Sequence, residues 1–257
     1  MIFVLLPNKK QETYLKLFQM INSYIKVQPI SINIDFEKAV FNAIQKIFLF
    51  TLIYGCFFHL SQNFFKRVQK KSLTIYNKES SFRKSFNMLQ ALAFLPEDDV
   101  IFGFDYLKSQ INENFKDILK YVEKNYIGKL KIGKDGEVTR ANPRFPINSW
   151  NLHERVLKNL PRTNNSVESW HGSYSDTIKK GMTVDKVVQA FRKEQNNTEA
   201  FIVQIKTGTE IIRKARSIEQ DKKIFQLVSN YSSNSMGEFI TNISLIMSVK
   251  NKKNILV

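Results

Sequence analysis

The apolar positions near the start of the chain are spaced in a way that predicts alternating strands and helices. Short apolar runs rich in β-branched and aromatic residues indicate strands, whereas apolar residues three to four positions apart indicate helices. These criteria predict a strand at Ile2 to Leu6, a helix at Glu12 to Pro29, a strand at Ile30 to Ile34, a helix at Phe36 to Ile47 and a strand at Phe48 to Tyr54. Such alternation is typical of an α/β layer with parallel strands and right-handed crossovers.

The pattern becomes mostly helical after Gly55. Helices are predicted at Cys56 to Lys70, Phe82 to Phe94, Asp98 to Gln110 and Asn114 to Tyr126. A loop or weak hairpin follows at Lys129 to Ala141, where glycines interrupt the pattern. We therefore predict three parts: a partial α/β core at 1–71, a helical insertion at 72–160, and a returning helix of the core with a helical tail at 161–257.

The chain is strongly basic, with 39 Lys and Arg against 23 Asp and Glu and a formal charge of +16. Each phosphate that a protein neutralises releases counterions, so this excess favours a polyanionic partner, nucleic acid ahead of an anionic membrane. In the predicted tail a recurrent basic set suits contacts with phosphates: Arg192, Lys193, Lys206, Arg213, Lys214, Arg216, Lys222 and Lys223. AT-rich coding and solvated helix faces explain the same charges, which therefore leave the partner open.

The number of cysteines and the length of the apolar stretches exclude disulfide-rich proteins and proteins with a membrane-spanning helix. The single cysteine, Cys56, excludes an internal disulfide framework and fits a reducing compartment. The longest apolar stretch, Ile47 to Phe58, is well short of the roughly 20 residues that cross a bilayer. We expect no membrane partner.

Four stretches carry a resemblance to a known family. Their sequences are LLPNKKQETY at 5–14, DFE at 35–37, GCFFHLSQ at 55–62 and PRTNNSVESWH at 161–171. In this order and spacing the chain resembles MULE (Mutator-like element) transposases. The resemblance implies an RNase H-like DDE core that cleaves DNA and transfers its strands in the nucleus, and it is compatible with a homo-oligomer.

The resemblance also implies roles for individual residues. Asp35 matches the second catalytic acid and Glu168 the third, which together would hold Mg²⁺ or Mn²⁺, while Cys56 and His59 match a signature without an assigned role. The fourth stretch lies at a predicted helix start, whose free N–H groups suit an anion, so its residues would contact DNA: Arg162, Asn164, Asn165 and His171. The first acid normally lies on an earlier strand and nothing here supplies it, so we expect N-terminal core strands to be missing and the chain alone to be inactive.

Structural roles compete with these assignments. Asp35 could cap the following helix, and Glu168 could form a capping box with Asn165. A zinc site would need Cys56 and His59 together with His153 and His171, whereas simple packing of Cys56 and a local hydrogen bond of His59 require nothing more. Trp150 and Trp170 could stack on an extruded base or pack internally.

The sequence leaves three hypotheses about this protein. The first is a transposon-derived enzyme of the MULE type. The second is a non-catalytic DNA-binding or interaction protein that kept the basic surface. The third is a remnant that does not fold stably, because the strand at Ile2 to Leu6 would leave an open sheet edge.

Overall fold

The computed structural model describes residues 2–111, 113–164, 167, 170, 172, 174, 181–210 and 213–254, without the side chains of 249–254. Most of this part of the chain is helical, and four short strands form two small sheets. Elements are numbered along these described residues. The predicted α/β class is confirmed at this level.

A β-α-β unit lies near the start of the described chain. Strand β1 (Ser31–Ile34) and strand β2 (Leu52–Gly55) pair in parallel, from Ser31 opposite Leu52 to Ile34 opposite Gly55. Helix α2 (Lys38–Ile47) connects the two strands, and helix α1 (Gln11–Tyr24) packs against α2. Since parallel strands need such a crossover connection, the observed pairing confirms the parallel arrangement predicted from the alternation.

The strand predicted at Ile2 to Leu6 is wrong. These residues form no strand, and Ile2 and Leu5 are largely exposed. A strand needs a neighbour that completes its backbone hydrogen bonds, and no described strand lies beside this run. Phe3 instead stacks on Phe191, with 4.8 Å between ring centroids. The apolar run therefore packs through a side chain rather than through a sheet.

Two further boundaries differ from the prediction. Helix α1 ends at Tyr24 rather than near Pro29, because Ile25 already has extended backbone angles. Strand β2 begins at Leu52 rather than Phe48, because Phe48 ends α2 and the next two residues form an exposed turn. Both differences come from local turns that the apolar pattern does not mark.

The middle of the chain forms helices and one hairpin. The helices are α3 (Phe57–Lys71), α4 (Leu73–Lys78), α5 (Ser80–Ala91), α6 (Val100–Gln110), α7 (Lys116–Val122), α8 (Ile147–Trp150) and α9 (His153–Leu157). Helix α7 continues as a π-helical turn, Glu123–Ile127. The predicted hairpin is confirmed, with β3 (Leu130–Ile132) antiparallel to β4 (Val138–Arg140). Helices α4, α8 and α9 are elements that the sequence pattern missed.

The described part of the tail contains three helices: α10 (Val184–Lys206), α11 (Ala215–Ser229) and α12 (Met236–Asn254). Helix α12 packs against α5, and α11 packs against α9. One hydrophobic core therefore includes residues from α3, the middle helices and the tail, from Leu60 to Met247. The three-part division remains a prediction. None of the helices in the described residues combines the length and apolarity that a bilayer crossing requires.

Candidate functional site

The carboxyl ends of β1 and β2 meet at one edge of the parallel sheet. Asp35 directly follows β1, and Cys56 directly follows β2. The backbone N–H of Cys56 donates to the carbonyl of Ile34 over 2.9 Å, which holds the two chain segments together past the strands. In open α/β sheets this edge is the usual position of ligands.

Two side chains from distant segments fix the carboxylate of Asp35. Nδ1 of His59 lies 2.9 Å from Oδ1 of Asp35, and Nδ2 of Asn164 donates to the same oxygen over 3.1 Å. The Asp35 side chain is 48% exposed. Both contacts involve Oδ1 of Asp35, and neither involves Oδ2.

The start of α3 carries the Cys56 and His59 signature. Cys56 is the N-cap residue of α3 and is fully buried, while His59 lies in the first turn. The backbone N–H of Asn164 lies 3.5 Å from Sγ of Cys56, and the N–H of Phe57 donates to the carbonyl of Arg162 over 3.0 Å. The 161–164 segment therefore runs along the first turn of α3, more than 100 residues away in sequence.

Arg155 on α9 contacts both strands at this edge, and only 1% of its surface is exposed. Its Nη1 donates to the carbonyl of Gly55 over 2.9 Å, and its Nη2 donates to Oδ1 of Asn33 over 3.3 Å. Its Nε donates to the carbonyl of Pro161 over 3.1 Å, and the guanidinium lies over the ring of Tyr54 at 4.8 Å. Burial lowers the pKa of Arg155 to about 10. One side chain thus holds both strands and the 161–164 segment in place.

A charged cluster lies beside the edge. The carboxylate of Asp221 on α11 accepts hydrogen bonds from the guanidinium groups of Arg162 and Arg213. Burial lowers the pKa of Arg162, and the neighbouring positive charge of Arg213 lowers it further. The two arginines therefore share one counterion.

Five of the eight residues selected from the sequence converge at this edge: Asp35, Cys56, His59, Arg162 and Asn164. The other three, Glu168, Asn165 and His171, lie outside the described residues. The assigned functional roles of all eight remain predictions. Sequence reasoning missed Arg155 and Asp221, since a charged side chain normally indicates a solvated position.

The structure shows the surroundings of three residues that have competing structural roles. The N-cap of α2 is Glu37, so Asp35 does not occupy that position. Nδ1 of His153 lies 3.0 Å from the carbonyl of Phe94. Trp150 is buried in the core, with its ring in an edge-to-face contact with Tyr126. Trp150 therefore has the internal packing role.

The fit of a divalent ion depends on oxygen ligands. Mg²⁺ and Mn²⁺ prefer carboxylate oxygens, and Asp35 supplies one half-exposed carboxylate at the ligand edge. Within the described residues, no group of three or more His, Cys, Asp or Glu side chains could hold a metal ion. Asp35 therefore fits as one ligand, and the predicted second carboxylate, Glu168, is not among the described residues.

Comparison with known proteins finds a similarity at the start of the chain. The family model of the MULE transposase domain matches residues 1–63, so 63 of the 257 residues carry this similarity. No curated protein and no solved structure matches the chain. Three of the four sequence stretches lie inside the match, including Asp35, Cys56 and His59. The match confirms the resemblance for residues 1–63, whereas the fourth stretch, 161–171, lies beyond it.

Proposed function

We propose that the edge around Asp35 belongs to a metal-dependent DNA cleavage and strand-transfer centre in an RNase H-like, DDE-type core. Asp35 and Glu168 are its second and third acids, and the protein is transposon-derived and works on DNA in the nucleus. The match to the MULE transposase domain supports this proposal, because it includes Asp35, Cys56 and His59.

The convergence of distant segments on Asp35 carries the proposal. Asn164 is 129 residues from Asp35 in sequence, yet its amide donates to the carboxylate. His59 contacts the same oxygen. Carboxylates that bind metal ions are commonly oriented by hydrogen bonds from neighbouring side chains, as Asp35 is here. Oδ2 would then be the oxygen that holds the ion.

The chemistry follows from the residues at this edge. A bound Mg²⁺ or Mn²⁺ would polarise the phosphodiester and activate the attacking oxygen. Asp35 would hold the ion, while His59 and Asn164 keep its carboxylate in one orientation. Arg162 would neutralise a neighbouring phosphate, because a guanidinium donates to two phosphate oxygens at once. Cys56 contributes packing and the first turn of α3, since it is fully buried.

We predict that Mn²⁺ binds at Asp35 and broadens the NMR signals of His59 and Asn164. Asp35→Asn removes the charge that attracts the ion, so these signals should stay sharp over the Mn²⁺ range that broadens them in the unaltered chain. Glu168→Gln should weaken the effect in the same way. The measurement is a Mn²⁺ titration of labelled protein followed by two-dimensional NMR.

Asp117→Asn provides the matched control, because Asp117 is an exposed carboxylate on α7. It should behave like the unaltered chain. Unchanged broadening in Asp35→Asn would contradict the metal role of Asp35.

DNA binding is tested separately by affinity at rising salt. If phosphate contacts dominate, the logarithm of the binding constant should fall linearly with the logarithm of salt concentration, by about 0.9 per phosphate neutralised. The exposed cations of α10 and α11 support this expectation, since they lie in solvent on the tail helices. Salt-dependent binding without a Mn²⁺ effect at Asp35 would favour the non-catalytic DNA-binding protein instead. Flat or absent DNA binding would contradict both functions.

A further inference from the structure

Arg162 and Arg213 converge on a single carboxylate in a geometry that also suits a phosphate. Nη2 of Arg162 donates to Oδ1 of Asp221, and Nη2 of Arg213 donates to Oδ2. Each oxygen of the carboxylate thus receives its own guanidinium. The two non-bridging oxygens of a phosphodiester present a similar pair of acceptors, and arginine is the residue best suited to such planar recognition.

The cluster is accessible from solvent. The exposed fraction of the side chain is 20% for Arg162, 30% for Asp221 and 56% for Arg213. Arg162 is therefore held in place by its surroundings, whereas Arg213 can adjust. Because the two guanidinium groups repel each other, the pair requires an anion between them, and Asp221 supplies it in the free protein.

The cluster adjoins the edge described above. The backbone carbonyl of Arg162 accepts the hydrogen bond from the N–H of Phe57 at the start of α3. Asn164, two residues later, contacts Asp35. Further exposed cations lie next to the cluster in sequence: Lys214, Arg216 and Lys222. A phosphate held by the two arginines would therefore belong to a strand that passes the acidic edge.

We propose that Arg162 and Arg213 form a binding site for one backbone phosphate of DNA, and that Asp221 occupies this site until DNA displaces it. The inference rests on the proposed function, since it requires DNA as the partner. Asp221 then acts as an internal competitor. DNA must break the two ion pairs of Asp221 before it can bind, and the free energy that this costs lowers the affinity of the protein for DNA. Removing the charge of Asp221 removes this cost.

The test compares two substitutions on one helix. Asp221→Asn and Glu219→Gln each remove one negative charge from α11, but Glu219 forms an exposed surface pair with Lys223, one turn away and over 2.7 Å. Affinity is measured on the full chain by fluorescence anisotropy with a labelled duplex of about 20 base pairs, in KCl from about 50 to 200 mM. We expect Asp221→Asn to raise the affinity about tenfold at the lowest salt, and Glu219→Gln to raise it less than about threefold.

Arg213→Gln identifies the phosphate contact itself. Added to Asp221→Asn, it should flatten the salt dependence by about 0.9 in log–log slope, the contribution of one phosphate. If Asp221→Asn does not fold, as judged by circular dichroism, Arg213→Gln alone decides, because Arg213 is largely exposed and Asp221 keeps its bond to Arg162. The slope should then flatten by the same amount.

The outcomes separate the two proposals. Equal effects of Asp221→Asn and Glu219→Gln, or an unchanged slope in Arg213→Gln, would overturn the phosphate site while leaving DNA binding intact. Absence of DNA binding in every folded variant, the unaltered chain included, would overturn the proposed function and this inference with it.

Discussion

Replacing Arg155 by Met is expected to destabilise the protein by about 3 kcal/mol, which corresponds to a fall in melting temperature of roughly 6 to 12 °C for a domain of this size. Met has a similar length but donates no hydrogen bond. The carbonyl of Gly55 would lose its donor in a buried position, and the carbonyl of Pro161 and the side chain of Asn33 would lose theirs in partly buried ones. A buried loss costs about 1 to 3 kcal/mol and a partly buried one less, and the relief from burying a cation offsets part of the sum.

Two further variants serve as controls for Arg155→Met. Arg155→Lys keeps the charge but cannot reach all three acceptors, so its stability should lie between those of Arg155→Met and the unaltered chain. Arg192→Met changes an exposed arginine on α10 and should alter the free energy of unfolding by less than about 0.5 kcal/mol. Thermal unfolding followed by circular dichroism measures all three. An Arg155→Met protein that melts with the unaltered chain would show that the buried guanidinium does not hold the strand ends.

Local patterns predicted the β-α-β unit well, because each of its elements depends on neighbouring residues. The three-to-four residue spacing of apolar positions in α2 and the β-branched residues of β1 are sufficient to specify a helix and a strand. The run at Ile2 to Leu6 has a strand-like composition but no described strand beside it. Composition cannot supply a pairing partner, and so this prediction failed.

The candidate site shows the same division between local and distant information. Asp35, Cys56 and His59 were selected because they lie close together in a recognisable order. The contact of Asn164 with Asp35 was not predicted, since its two residues lie on distant segments and Asn164 was assigned to DNA binding. Nothing in the sequence distinguished Arg155 from a solvated residue. Its role arises only when α9 packs under both strand ends, a tertiary arrangement that no periodicity encodes.

Replacing Phe64 by Ala is expected to cost about 3 to 5 kcal/mol, the usual range for removing a buried aromatic ring. Phe64 lies on the buried face of α3 with 2% of its surface exposed, and its ring makes an edge-to-face contact with Tyr126, with 5.3 Å between centroids. The cavity would open where α3 meets the core, between the middle helices and the sheet edge. The midpoint of denaturant unfolding should therefore shift strongly to lower concentration.

Phe58→Ala is the matched control, because it removes the same atoms from the same helix at a position that is 39% exposed. Its cost should be clearly smaller than that of Phe64→Ala, since a partly exposed ring buries less apolar surface and its loss leaves no enclosed cavity. The first turn of α3 is held independently by the bonds of Cys56 to Ile34 and of Phe57 to Arg162. The folded fraction of Phe64→Ala should therefore keep the NMR signals of His59 unchanged. Equal losses of stability in the two variants would contradict the placement of Phe64 in the core, and shifted His59 signals would show that the core and the sheet edge are coupled through α3.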